Sequence, residues 1–245
     1  LDRKKAQTVL EKLFFELIDS KDPNLELVVD VLCSWGAVLL DLQCYEKSKM
    51  VLEKALAIRP FDTLANQNMA SVFLHLGDPD SAKKSLETAS ISGDPEVMYQ
   101  LSMVELMLGN FTRGWRMHES RLVTRRFKDR DLVNSIKQIP FEELTSGSRV
   151  LLFQEQGIGD TLQFSRYIPL VYNKTKNIDV MLKPNHYMRL RDYVVPSIKD
   201  FITDNYKEVD KVYIKGVDNV NLQQYDAIIP LMSLPYIFKT DLTNI

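Results

Sequence analysis

With 245 residues, 45% of them hydrophobic and 26% charged, the chain has the composition of a globular protein long enough to hold two cores of ordinary size. A formal charge of −2 and a pI near 6.0 exclude the clustered basic face that nucleic acid or an anionic membrane requires, so neither is expected as a partner. The two cysteines, Cys33 and Cys44, have no Cys or His neighbour at metal-ligand spacing, which predicts free thiols in a reducing, cytoplasmic setting and no metal site.

Taken in chain order, Ala6 to Asp19 is apolar at Val9, Leu10, Leu13, Phe14, Leu17 and Ile18, a spacing that predicts a helix with one buried face. It reads as the second helix of a partial hairpin over residues 3–20. The most hydrophobic window, Val28 to Leu42, is interrupted by Asp30, Ser34 and Asp41, so no membrane span is expected. Gly36, Leu39, Ser48, Leu52 and Ala55 then recur 34 positions on as Ala70, Phe73, Ala82, Leu86 and Ala89. Small residues at a fixed period are what stacked helical hairpins need, because a hairpin cannot bury its apolar stripe alone and close backbones leave no room for large side chains. Pro60 closes one unit and Gly93-Asp94-Pro95 the next. A third unit follows at a shorter step, Leu76-Gly77-Asp78 recurring 32 positions on as Leu108-Gly109-Asn110.

This pattern resembles the tetratricopeptide repeat. The resemblance implies a right-handed superhelix over residues 1–136, with full units at 29–61, 63–94 and 95–128, whose groove takes a protein or peptide, or which pairs with its own copy. In the large enzyme that attaches N-acetylglucosamine to intracellular proteins, an asparagine two residues before the small position of each first helix lines the groove. Here Asn68, two before Ala70, fits that position, while Ser34 and Gln100 stand at the equivalents, so no continuous amide ladder is expected. The plainer reading of Asn68 is a solvated polar residue on an exposed helix face.

Gly109 to Arg121 is similar to the closing segment of a bacterial family in which a short repeat stack is fused to a glycosyltransferase-B-type domain. That domain is akin to the heptosyltransferases and to glycosyltransferase families 9 and 41. Gly114, Trp115, Glu119 and Arg121 match the segment, whereas His118 and Ser120 replace its aromatic residues, so the packing there must differ. Between Val123 and Ser148 the helical period fades, and Arg125, Arg126, Lys128 and Arg130 alternate with Asp129 and Asp131, the pattern of a solvated face. A linker is expected over residues 137–147, punctuated by Pro140 and Gly147.

A domain is expected over residues 148–245. Val150 to Phe153 reads as a strand buried on both faces, followed by a glycine turn and a helical pattern at Leu162, Phe164, Tyr167, Ile168, Leu170 and Val171. Further strands are predicted at Ile178–Leu182, Val212–Ile214 and Ala227–Ile229, with helices after Pro184 and around Ser233–Phe238. Strands alternating with helices imply an open, largely parallel Rossmann-like sheet, which places Gln154 to Asp160 at a strand's carboxyl end, where such folds bind ligands. A dinucleotide is excluded, because Leu162 stands where the third fingerprint glycine is needed and no acidic residue follows Leu182-Lys183. A triphosphate cradle is excluded by the missing Lys-Ser/Thr pair.

Arg149 to Leu170 resembles the first strand, turn and helix of the same heptosyltransferase-like family, and Tyr225 to Pro235 its fourth or fifth strand with the following turn. The resemblance implies the amino-terminal half of a glycosyltransferase-B fold. It also implies Asp160 as the general base that takes the acceptor's proton, with Glu155, Gln156, Gly157, Gly159, Thr161 and Arg166 as contacts to a glycan or protein acceptor. A nucleotide-sugar donor would be held by a second half beyond Ile245, so no cofactor is expected in these residues and the chain reads as a fragment. The alternative is a repeat adaptor with a vestigial, non-catalytic sheet domain, in which Asp160 is simply a helix cap contributing about 1 kcal/mol. His75, His118 and His186 stand alone at unrelated positions, as surface or core histidines usually do; their role is left open, and no metal site is expected.

Overall fold

A computed structural model describes residues 2–184 and 198–244. It divides into a helical unit, Leu1–Thr124, and a sheet unit, Arg125–Ile245.

Seven helices make the described part of the first unit: α1 (Arg3–Ile18), α2 (Leu25–Asp41), α3 (Tyr45–Ile58), α4 (Thr63–His75), α5 (Pro79–Ala89), α6 (Pro95–Met107) and α7 (Phe111–His118). The hairpins are α2/α3, α4/α5 and α6/α7, each packed on the next in sequence, and α1 lies against α2. Asp2, Asn24, Asp62, Asp78 and Asp94 cap helix starts by accepting backbone N–H bonds, which satisfies donors that have no partner within the helix.

The sharp turns inside the hairpins share one geometry. Gln43, Gly77 and Gly109 have φ of 59°, 79° and 80°, and the next N–H returns to a carbonyl five residues back: Cys44 to Leu39 at 2.9 Å, Asp78 to Phe73 at 2.8 Å and Asn110 to Glu105 at 2.8 Å. The first hairpin achieves with glutamine what the other two achieve with glycine. The periodic small residues sit where helices meet. A Cβ on Gly36 would lie 2.6 Å from Leu52, one on Gly114 would lie 2.7 Å from Leu106, and the Ser48 hydroxyl donates to the Gly36 carbonyl at 2.8 Å.

Two buried polar groups in this unit escape a periodicity reading. Glu105 on α6 is fully buried and lies 3.2 Å from Lys83 of α5 and 2.6 Å from Arg113 of α7, and it accepts from Asn110 at 2.6 Å. One carboxylate thus ties three helices, and the half-exposed cations offset the cost of burying it. His118 is also buried, its ring 5.3 Å from Tyr99 and 5.6 Å from Trp115. Burial, and after it the Arg121 charge, push the imidazole down to about 3. The histidine therefore packs beside Tyr99 and Trp115 as a neutral ring.

Among its described residues the sheet unit has four parallel strands in the order β3-β2-β1-β4: β1 (Arg149–Phe153), β2 (Asn177–Leu182), β3 (Val209–Ile214) and β4 (Ala227–Pro230). Burial of both faces of β1, β2 and β4 matches their unbroken apolar runs. The helices are α8 (Arg130–Val133), α9 (Ile158–Ser165), α10 (Ile168–Thr175), α11 (Ile198–Asn205) and α12 (Leu234–Ile237). Together the units form helical repeats followed by a Rossmann-like parallel sheet. The helix expected after Pro184 falls partly outside the described residues, as does His186.

Three details differ from the sequence reading. The single helix expected through Leu162 and Val171 is two, because Pro169 has no N–H and its ring cannot pass the carbonyl four residues earlier, so the chain restarts as α10 with proline in its first turn. The mixed charge run is not merely solvated: Asp129 is buried, Leu132 is buried, and Phe127 packs beside it against Leu151, Phe153, Met181 and Ile228 of the sheet. The stretch 137–147 is fastened to the edge strand, Ile139 N–H donating to the Asp226 carbonyl at 2.9 Å and Gln138 Oε1 accepting from Ile228 N–H at 2.8 Å. On the same sheet face Asp179, fully buried, accepts from Arg149 Nη2 at 3.1 Å and from the Tyr225 hydroxyl. Burial, helped by that carboxylate, pushes the Tyr225 phenol up, so it stays a donor.

Candidate functional site

β1 is an interior strand, paired with β2 on one side and β4 on the other, and its carboxyl end opens into the glycine turn. Gln154 is buried and stitches the turn to the neighbouring strand: its N–H donates to the Met181 carbonyl at 2.9 Å, its Oε1 accepts from Lys183 N–H at 2.9 Å, and its Nε2 donates to the Gln156 carbonyl at 3.0 Å. The Lys183 ammonium donates to the Glu155 carbonyl. Glu155 itself is buried, whereas Gln156, Gly157 and Gly159 are exposed.

Asp160 is not the N-cap residue. Gly157 holds that place with extended backbone, φ −74° and ψ 176°, and Asp160 is the third residue of α9. Its Oδ2 accepts from Gly157 N–H at 3.1 Å, the return half of a capping box. Among the described residues Oδ1 makes no hydrogen bond, and the side chain is half-buried. Thr161 is buried and turned inward, donating to the Gly157 carbonyl at 3.0 Å. Arg166 lies at the far end of α9 with its guanidinium over the Tyr167 ring and 3.3 Å from the Tyr167 hydroxyl. Asn68 is half-buried in the other unit and donates to the Cys33 carbonyl at 3.2 Å, joining α4 to α2.

The turn therefore gathers Gln156, Gly157, Gly159 and Asp160 at an accessible edge. Glu155 and Thr161 belong to its scaffolding and Arg166 lies apart. The 3-10 turn Leu231–Ser233 after β4 packs beside α9, so the two stretches that carried the family resemblance in this domain are neighbours. Among the described residues nothing requires either position to be glycine. Both have negative φ; a Cβ on Gly157 would meet Asp160 at an ordinary 3.5 Å, and one on Gly159 meets nothing within 4 Å. What the sequence reading missed at this edge is the group Asp129, Lys183 and Lys215. Lys183 and Lys215 each follow a predicted strand directly, and that position was the available signal.

No family model matches the chain. Among curated proteins, 143 residues are 28% identical to the protein FlbA of Caulobacter vibrioides, covering 55% of this chain and 23% of FlbA. Among solved structures, a mutant of the O-GlcNAc transferase of Thermobaculum terrenum superposes with a TM-score of 0.38 and 13% identity, over 87% of this chain and 42% of the transferase. The chain thus spans less than half the length of either protein.

Proposed function

We propose that the chain is the repeat stem and acceptor-side half of a glycosyltransferase of the B type, with the repeats as a protein-interaction surface. The observation that carries this reading is Asp160, which offers a carboxylate oxygen uncommitted among the described residues, at the carboxyl end of an interior parallel strand and beside two glycines.

In this reading an acceptor hydroxyl approaches over Gly157 and Gly159, and Gln156 contacts the acceptor. Asp160 Oδ1 takes the hydroxyl proton while the acceptor oxygen bonds to the anomeric carbon of a nucleotide-sugar. The bond from that carbon to the nucleotide breaks, and its electron pair leaves with the phosphate. The Oδ2 bond to Gly157 N–H fixes the carboxylate during the transfer, and the start of α9 favours its negative charge. The donor would sit in a second sheet half outside these residues.

Asp160→Asn in the full-length protein tests the reading. The amide oxygen keeps the cap and loses the base, so transfer should fall by about 10²- to 10⁴-fold with little change in melting temperature. Turnover at the wild-type rate would remove Asp160 from the mechanism and leave the adaptor reading, in which the sheet unit carries no chemistry.

A further inference from the structure

Three neighbouring strands end at one edge, and the residue after each is polar: Gln154 after β1, Lys183 after β2 and Lys215 after β3. The ladder continues one step past the strands, since Lys215 N–H donates to the Leu182 carbonyl at 2.8 Å and Lys183 N–H to Gln154 Oε1 at 2.9 Å. β2 and β3 are in register at Leu182 and Ile214, so the next pair is Lys183 beside Lys215, on the sheet face that also carries Met181 and Tyr213. Two like charges side by side on adjacent strands disfavour the sheet. The Glu155 carbonyl, which accepts from the Lys183 ammonium, relieves this in part, and a nearby anion relieves it further.

Asp129 supplies it. Its carboxylate is 4% exposed and lies between the two ammonium groups, one oxygen on Lys215 and the other 3.4 Å from Lys183, whose side chains remain 35% and 39% exposed. The aspartate is not part of the sheet. It arrives from the stretch before β1, carried by Phe127 and Leu132, which pack on the apolar face. A carboxylate brought from outside the sheet thus sits on paired cations at the carboxyl edge of adjacent parallel strands, the place where open α/β sheets bind their ligands.

We propose that Lys183 and Lys215 form an anion-recognition pair for a ligand bearing a phosphate or diphosphate group, and that Asp129 occupies the pair as an internal counter-ion which such a ligand displaces. The two lysines carry the attraction, Gln154 fixes the Lys183 backbone, and Asp129 sets the threshold a ligand must overcome. The proposal rests on the sheet edge and not on sugar transfer, so its failure would leave the role of Asp160 untouched.

Titration calorimetry of the intact protein with inorganic pyrophosphate at low ionic strength tests it. Asp129→Asn should bind at least about tenfold more tightly than wild type, because the competing charge is gone and the shape is kept. Lys183→Gln with Lys215→Gln should lose about tenfold or more in either background, and added salt should weaken binding, as for any half-exposed charge pair. Equal affinity in wild type and Asp129→Asn, unchanged affinity in the lysine variant, or no binding to either protein would overturn the proposal and leave a purely structural ion pair. Circular dichroism checks each variant. If Asp129→Asn does not fold, loss or retention of binding in the lysine variant decides the matter. A parallel titration with inorganic phosphate and a hexose phosphate identifies the source: tighter binding of the sugar phosphate assigns the pair to a phosphorylated sugar, and equal binding to the free anion.

Discussion

In the helical unit a methyl group added to Gly36 would lie 2.6 Å from Leu52 and one added to Gly114 would lie 2.7 Å from Leu106, while in the sheet unit one added to Gly159 meets none of the described residues within 4 Å. The same contrast runs through the carboxylates. Glu105 is fully buried and committed to Lys83, Arg113 and Asn110, whereas Asp160 commits one oxygen to its own helix start and, among the described residues, keeps the other uncommitted. Unusual residues in the first unit are consumed by packing; those in the turn after β1 have no such use among the described residues. A glycine or acid that the fold itself explains is weak evidence of function, and one that it does not explain is stronger.

The comparison breaks most visibly if Glu105 is dispensable. Glu105→Gln should destabilise the helical unit by about 3 kcal/mol, at the lower end of the cost of breaking a buried pair, because Lys83 and Arg113 retain access to water. Urea melts followed by tryptophan fluorescence read this directly, since both tryptophans, Trp35 and Trp115, belong to the helical unit.

His118 gives the next effect. Its folded imidazole is held at about 3, while an unfolded one protonates near 6.5, so between those values the unfolded chain binds the extra proton and stability falls as the pH falls. The helical unit should lose on the order of 3 kcal/mol by pH 4 from this group alone. Melts of His118→Phe across that range should show a shallower slope, and a slope equal to that of wild type would show that the histidine is solvated.

Gly36→Ala sharpens the comparison. Crowding against the buried Leu52 costs about 1–3 kcal/mol, alanine's helix propensity returns about 1, and a net loss of up to about 2 kcal/mol is expected in the same fluorescence melt. The smallest change belongs to the turn: Gly159→Ala should leave stability unchanged or raise it by about 0.5 kcal/mol, since the site is open and its φ is ordinary. Under the proposed function this substitution lowers acceptor affinity, so calorimetric stability and transfer kinetics on one variant separate packing from binding.

Much of this architecture was legible because it depends on near neighbours. The steps of 34 and 32 residues locate the hairpins, and the left-handed turn at Gly77 recurs at Gly109. The apolar run Val150–Phe153 announces an interior strand, and the glycines after it mark the edge where a ligand would lie. The same reasoning misjudged Asp129, because a charge run looks solvated when its partner is 86 positions away in Lys215. It also grouped Arg166 with the acceptor contacts near the turn, whereas the guanidinium lies over the ring of the next residue.

By itself, then, the sequence determined the order and kind of the elements: stacked hairpins, then a parallel sheet with a glycine-aspartate turn after its first strand. Periodicity, capping residues and turn glycines act over a few residues and can be read in one dimension. Tertiary structure alone decided which charges meet, setting Lys183 beside Lys215 with Asp129 between them, burying Glu105 among three helices, and leaving one oxygen of Asp160 uncommitted. Burial and long-range electrostatics depend on what lies across space, and no local pattern encodes that.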